Sequence, residues 1–197
     1  RGVGDPESLQ PLLRQASVVA LGPGLGQDDW ARAVWHLAIG AGRPLVVDAD
    51  ALRLLAGEPS RRDDWVLTPH PGEAAALLDV CGAEVNAQRF DTADQIQRRF
   101  GGCVVLKGAG SIIACGGSVP PAVCSEGNPG MASGGMGDAL TGVIAGLLAQ
   151  GMDLRDAAES GVCLHAAAGD VASRAGGERG LLASDVVAEL RGLVNQG

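Results

Sequence analysis

Tyrosine is absent from this 197-residue chain, and two Phe and three Trp bring the aromatic share to only 3%. The core must therefore be built from Ala, Val, Leu and Ile, which suits packed helices and buried strands. Basic residues are also few: 15 Lys and Arg stand against 23 Asp and Glu, a formal charge of −8. An acidic, aromatic-poor surface argues against nucleic acid as the main partner. It leaves room for a phosphorylated small molecule, because backbone N–H groups hold phosphate without net positive charge. No apolar run reaches membrane length and no secretory signal pattern is present, so a cytoplasmic protein with no membrane partner is expected. The five cysteines, Cys81, Cys103, Cys115, Cys124 and Cys163, contain no C-x-x-C pair. Their odd number reads as reduced, mostly buried thiols rather than a metal or redox site. The chain starts at Arg1 rather than at a methionine, which leaves room for an upstream N-terminus.

What is present is a folding sequence, 46% hydrophobic and 19% charged, of a length that suits one domain over residues 1–197. Short β-like runs alternate with helical stretches. "SVVAL" leads through "GPGLG" to a helix near Asp28–Ala41, and "PLVVDA" to one near Ala51–Ala56. "WVLTP" leads into "GEAAALLDV", and a helix near Asn86–Phe100 precedes "CVVLKG". "SIIAC" and "SVPPAV" read as a hairpin turning at Gly116–Gly117, followed by helices near Gly137–Gln150, Leu154–Ala175 and Ser184–Val194. "VVAL", "LVV" and "VVL" are apolar on both alternating faces, the pattern of parallel strands covered on both sides. The fold class is α/β, a doubly wound and mostly parallel sheet flanked by helices, with chemistry expected at the carboxyl ends of its strands.

Five segments could carry chemistry, and each has a plain structural alternative. "GGMGDALTG" places Gly134, Gly135 and Gly137 where a loop enters a helix, a site for an anion. Asp138 there is either a helix cap or a base beside a phosphate that takes a proton from a substrate hydroxyl. The stretch lacks the G-x-x-x-x-G-K-[ST] pattern of a P-loop. In "KGAGS", Lys107 either ends a strand in solvent or joins Gly108, Ala109, Gly110 and Ser111 at a nucleotide phosphate. In "TPHPGE", Pro71 and Gly72 start a helix with Glu73 in its first turn, and His70 is either structural or orients a substrate. "GPGLG", with Gly24 and Gly26, is accounted for by a tight turn. Asp48 and Asp50 of "DADAL" serve a metal or ribose site or cap a helix. The carboxylates show no dedicated metal-cage spacing. His36 and His165 read as packing residues.

Taken in order, "ALGPGLG", "VVDADAL", "LTPHPGE", "VVLKGAGS" and "GNPGMASGGMGDALTG" resemble the ADP-dependent NAD(P)H-hydrate dehydratase family over essentially the whole chain. The resemblance implies a ribokinase-like fold and the repair of hydrated NADH or NADPH. ADP would be the co-substrate, Mg2+ would arrive with it, and no protein metal site is called for. It implies Asp138 as the base and Gly134, Gly135 and Gly137 as an anion hole. Lys107 to Ser111, with Gly137, match the nucleotide segment. Gly24 or Gly26 of the first loop, His70 and Asp138 match the substrate side. The family tends to form homo-oligomers, and an epimerase of the hydrate is either fused or separate. Family domains usually begin well upstream of "SVVALGPGLG", so this domain is expected to lack its N-terminal part.

Overall fold

Alternation within each strand decides how the sheet is covered. The structure, a computed structural model, describes residues 4–195, so Arg1 lies outside it. Strands β1 (Val19–Leu21), β2 (Leu45–Val47), β3 (Trp65–Leu67) and β4 (Cys103–Leu106) are parallel neighbours. β5 (Ser111–Ala114) and β6 (Ala122–Cys124) continue antiparallel, giving six strands in the order β1-β2-β3-β4-β5-β6. Every residue of β2, β3 and β4 is buried. Strands clothed on both sides need apolar residues at consecutive positions, which is what "LVV", "WVL" and "CVVL" supply.

Between the parallel strands lie α2 (Asp29–Gly40), α3 (Ala49–Gly57), α4 (Pro71–Leu78), α5 (Gly82–Ala87) and α6 (Arg89–Phe100). Crossovers of the same hand between sequential neighbours put helices on one face, and these helices share one. There Trp35, Leu52, Leu55, Leu77, Ile96 and Phe100 meet Leu45, Val47, Trp65, Leu67 and Val104. Each such side chain contributes about 1.5–3 kcal/mol when fully buried. The alternate residues Val46, Val66, Val105 and Ile113 face the other way. They meet Leu140 and Ile144 of α7 (Met136–Ala149) and Ala158, Val162 and Ala166 of α8 (Leu154–Gly176). α9 (Ala183–Val194) closes against α8. α7 and α8 lie close because Gly161 is bare: a Cβ there would sit 2.7 Å from Ile144 Cγ1. A valine at position 161 would force the two helices apart.

The elements follow the sequence pattern with local differences. The helix expected over Asn86–Phe100 is two helices, broken at Gln88. A short 3-10 turn at Pro6–Leu9 and α1 (Gln10–Gln15) precede β1. The cysteine expectation is corrected. Cys103 and Cys115 stand opposite each other across β4 and β5 and form a disulfide, while the free thiols of Cys81 and Cys163 are exposed and that of Cys124 is buried. His36 is also exposed, beside Glu58 at 3.3 Å, because Val34, Trp35 and Ala38 take the core side of α2. Among the described residues no helix is long and apolar enough to cross a membrane.

Candidate active site

Four parallel strands end at the same edge, and each releases one of the segments singled out in the sequence. After β1 the chain turns through Gly22 with φ +135°, against the Asp48 carbonyl that follows β2, so close that a Cβ would overlap that oxygen. Only glycine fits there. Further along the loop, Gly26 N–H donates to Asp50 Oδ2 at 2.9 Å, and the Gln27 amide donates to the Asp50 carbonyl at 2.8 Å. Asp50 therefore shapes the loop that carries Gly24 and Gly26, both with positive φ and open space around them.

Asp48 stands at the N-cap position of α3 but makes no capping bond with its side chain. It is 1% exposed, and both oxygens are engaged elsewhere. Lys107 Nζ lies 2.7 Å from Oδ1, and Thr141 Oγ1 donates to Oδ2 at 3.0 Å. Glu73 Oε2 is 3.8 Å from the same ammonium. A buried carboxylate needs this provision, since burial of an unpaired charge is costly. Gly137, in the first turn of α7, presses on the pair: a Cβ there would lie 3.2 Å from Lys107 Nζ and 3.3 Å from Asp48 Oδ2.

Gly135 stands at the N-cap position of α7, in the left-handed region at φ +84°, and no side chain caps the helix. The first helical bond runs from Ala139 N–H to the Gly135 carbonyl at 2.9 Å, so the N–H groups of Met136, Gly137 and Asp138 lie ahead of it. Asp138 is in the first turn and exposed, with no side-chain partner among the described residues. The helix-cap reading of Asp138 is thus not what the geometry shows. The loop before α7 is held from α8: Asp170 accepts from Gly127 N–H at 3.0 Å and from the Asn128 amide at 2.9 Å. Ser133 Oγ donates to the Leu181 carbonyl at 3.0 Å. Beneath it, His165 is 7% exposed, and its Nε2 has no partner among the described residues. Burial, aided by the Lys107 charge, pulls its basicity below the ordinary imidazole range.

His70 does cap a helix. Its Nδ1 accepts from Gly72 N–H at 2.9 Å and Glu73 N–H at 3.3 Å, while Glu73 Oε2 accepts from His70 N–H at 2.7 Å. Nδ1 is consumed, and Nε2 of the exposed ring lies 3.4 Å from Glu73 Oε1. Lys107 parts company with the rest of its segment. Gly108 to Ser111 form the β4–β5 turn, where Arg89 donates to the Ala109 carbonyl at 2.6 Å and Ser111 Oγ to the Gly108 carbonyl at 3.3 Å. Lys107 instead reaches under α7.

Close contacts thus link Gly22 and Gly26, Asp48 and Asp50, Lys107 and Gly137, and His70 through Glu73 to Lys107. Gly134 stands in open space. Three residues were missed as parts of this arrangement: Thr141, Arg89 and Asp170. Nothing in the local sequence marks them, because each acts on a partner distant in the chain. No group of three or more His, Cys, Asp or Glu that could hold a metal ion occurs among the described residues.

The model of a family described as NAD(P)H-hydrate dehydratase matches residues 4–191. The bifunctional NAD(P)H-hydrate repair enzyme Nnr of Coxiella burnetii is 50% identical over 193 residues, 98% of this chain and 39% of that protein. The Escherichia coli protein of the same name is 45% identical over 96% of this chain and 36% of its own length. The chain thus spans about two fifths of the curated relatives it matches. Among solved structures, the ADP/ATP-dependent NAD(P)H-hydrate dehydratase of Bacillus subtilis, co-crystallised with ATP and Mg2+, superposes with a TM-score of 0.79 at 27% identity, covering 94% of this chain and 68% of that one. Arabidopsis thaliana ribokinase, complexed with ribose and ATP, superposes at 0.62 and 19% identity over 94% of this chain and 59% of that one, a likeness of fold alone.

Proposed function

The chain belongs to the NAD(P)H-hydrate dehydratase family, and from that premise we propose that it carries out the ADP-driven dehydration of hydrated NADH or NADPH. The observation that carries this reading is the exposed Asp138, unpaired among the described residues, in the uncapped first turn of α7, the turn whose Gly137 lies against the Lys107 ammonium. Asp138 takes the proton of the hydroxyl at nicotinamide C6 as that oxygen attacks the terminal phosphorus of ADP, and AMP leaves. The C6–O bond then breaks toward phosphate, pushed by the ring-nitrogen lone pair, and loss of a C5 proton restores the C5=C6 double bond. Hydroxide leaves poorly and phosphate leaves well, which is why a kinase-like site suits a dehydration.

In this reading Gly134, Gly135 and Gly137 direct the N–H groups of the α7 entrance at the transferred phosphoryl. The turn from Gly108 to Ser111 takes the nucleotide. Gly24, Gly26 and His70, whose ring is exposed beside Glu73, line the side that receives the hydrated cofactor. Among the described residues no cluster forms a metal cage, so a Mg2+ would come with the nucleotide and would supply neutralisation of phosphate charge. ADP is taken as the donor in preference to ATP. A cytoplasmic location, self-association and an epimerase acting on the same hydrate, fused or separate, complete the proposal.

The test uses the chain with whatever its reading frame encodes on either side, mixed with hydrated NADH or NADPH, ADP and Mg2+. The expected result is recovery of the near-ultraviolet absorbance of the dihydronicotinamide, with release of AMP and phosphate. Accumulation of a stable phosphate ester would instead mark a small-molecule kinase, and ADP binding without turnover a non-catalytic nucleotide-binding protein.

A further inference from the structure

Lys107 sits where four elements meet, and the residue that puts it there is Asp48. The two are 59 positions apart, joined at 2.7 Å between the ends of β2 and β4. The second oxygen of Asp48 is taken by Thr141, 93 positions away and one turn beyond Gly137 on the same side of α7. One buried carboxylate thus fixes an ammonium and a helix with respect to each other. The backbone is bent to deliver it: Ala49, the next residue, has φ +45°, a conformation that side-chain-bearing residues rarely adopt and that persists only where the surroundings enforce it. Asp48 gives up capping α3 to do this. Gly137 then lets the turn of α7 descend onto the ammonium, with no Cβ between them. The turn from Gly108 to Ser111 satisfies itself through Arg89 and its own carbonyls, so it does not need the lysine.

We propose that Asp48 is a positioning residue that pins the Lys107 ammonium beneath the first turn of α7, where Lys107 serves the phosphoryl group in transfer rather than the affinity for nucleotide. The proposal rests on the phosphoryl-transfer reading above. It separates Lys107 from the other residues of its segment. A fixed cation at that point matches charge that grows on the phosphoryl oxygens during transfer, and such a group acts on the transition state more than on the bound ground state.

The test compares Lys107→Met, Asp48→Asn, Thr141→Val and the Asp48→Asn/Lys107→Met double variant in the protein with its full reading frame. ADP affinity is measured by calorimetry, and kcat and KM by recovery of NADH absorbance. Lys107→Met is expected to lower kcat about 100-fold while ADP affinity moves less than about threefold. Asp48→Asn should move the same parameter in the same direction, and the double variant should be no worse than Lys107→Met alone. Thr141→Val keeps the shape of the side chain, frees one Asp48 oxygen, and should lower kcat several-fold; it keeps the test decisive if Asp48→Asn does not fold. Loss of ADP binding in Lys107→Met overturns the inference whether or not the wild type turns over. Multiplying losses in the double variant, or an unchanged kcat in Thr141→Val, overturn it as well. A wild type that binds ADP but restores no NADH counts against the dehydratase reading instead.

Discussion

Helices α4 and α7 both start at the carboxyl edge of the sheet, and both carry an acidic residue at the third helical position, yet they begin in opposite ways. In α4, His70 closes the helix from outside and Glu73 reaches back to the His70 N–H at 2.7 Å, a reciprocal pair with Pro71 between them. In α7, Gly135 stands where His70 stands in α4; it has no side chain to offer, and Asp138 faces outward with no partner among the described residues. The same residue class at the same position is spent on structure in one helix and left free in the other. The residue three places before it decides which. An unclosed helix start is a standing demand for hydrogen-bond acceptors and negative charge, and a ligand phosphate supplies both.

Asp138→Asn is the strongest way to break this comparison. With the carboxylate free of structural duty, kcat should fall by about 10²- to 10⁴-fold, while thermal unfolding stays within about 0.5 kcal/mol of wild type. Near-normal turnover would return Asp138 to a bystander. Gly137→Ala comes next. Its methyl would meet Lys107 and Asp48 at 3.2 and 3.3 Å, and a displaced first turn should cost about 100-fold in kcat/KM, with no matching loss of melting temperature. The α4 side predicts the reverse ordering. His70→Ala removes a cap and should cost about 1 kcal/mol in denaturant unfolding; a KM for the hydrate that rises in the same variant would show the ring working on both sides of the chain.

The smallest effect is a pH dependence. His165 titrates lower in the folded state than in the unfolded state, because burial disfavours its charged form. Between the two values the unfolded chain binds more protons, so stability falls as pH drops. The contribution should be complete above the ordinary imidazole value of about 6.5 and shrink steadily below it in denaturant titrations. His165→Gln should flatten that slope, and an unchanged slope would assign the acid sensitivity elsewhere.

The sheet and its edge were legible because two-sided burial writes itself into the sequence as consecutive apolar residues, and four of the five candidate segments come directly after such a run. Boundaries were readable where glycine and proline punctuate, as at Pro71. The Cys103–Cys115 disulfide could have been found: with Leu106 opposite Ile112, the same register places the two cysteines face to face. Compartment and cysteine count pointed the other way and prevailed. Asp48 was not legible. A carboxylate after a strand looks alike whether it caps a helix, holds a ribose or anchors a lysine, and the deciding partners lie 59 and 93 residues away. The open start of α7 was half legible: the glycines signalled an anion site, but they did not tell a cap from an unpaired acid.

The span between Asp48 and Thr141 also has a meaning in time. A chain leaving the ribosome presents Asp48 early, Lys107 later and Thr141 only when the last third emerges. Contacts of such separation form late, since the loop must close before the contact can repay it. Until then the first four strands can pair, but the lysine has no helix above it and Asp138 has no neighbourhood. Fragments released before α7 is made would carry a sheet and no centre, so they would be silent in the dehydration rather than partly active in it.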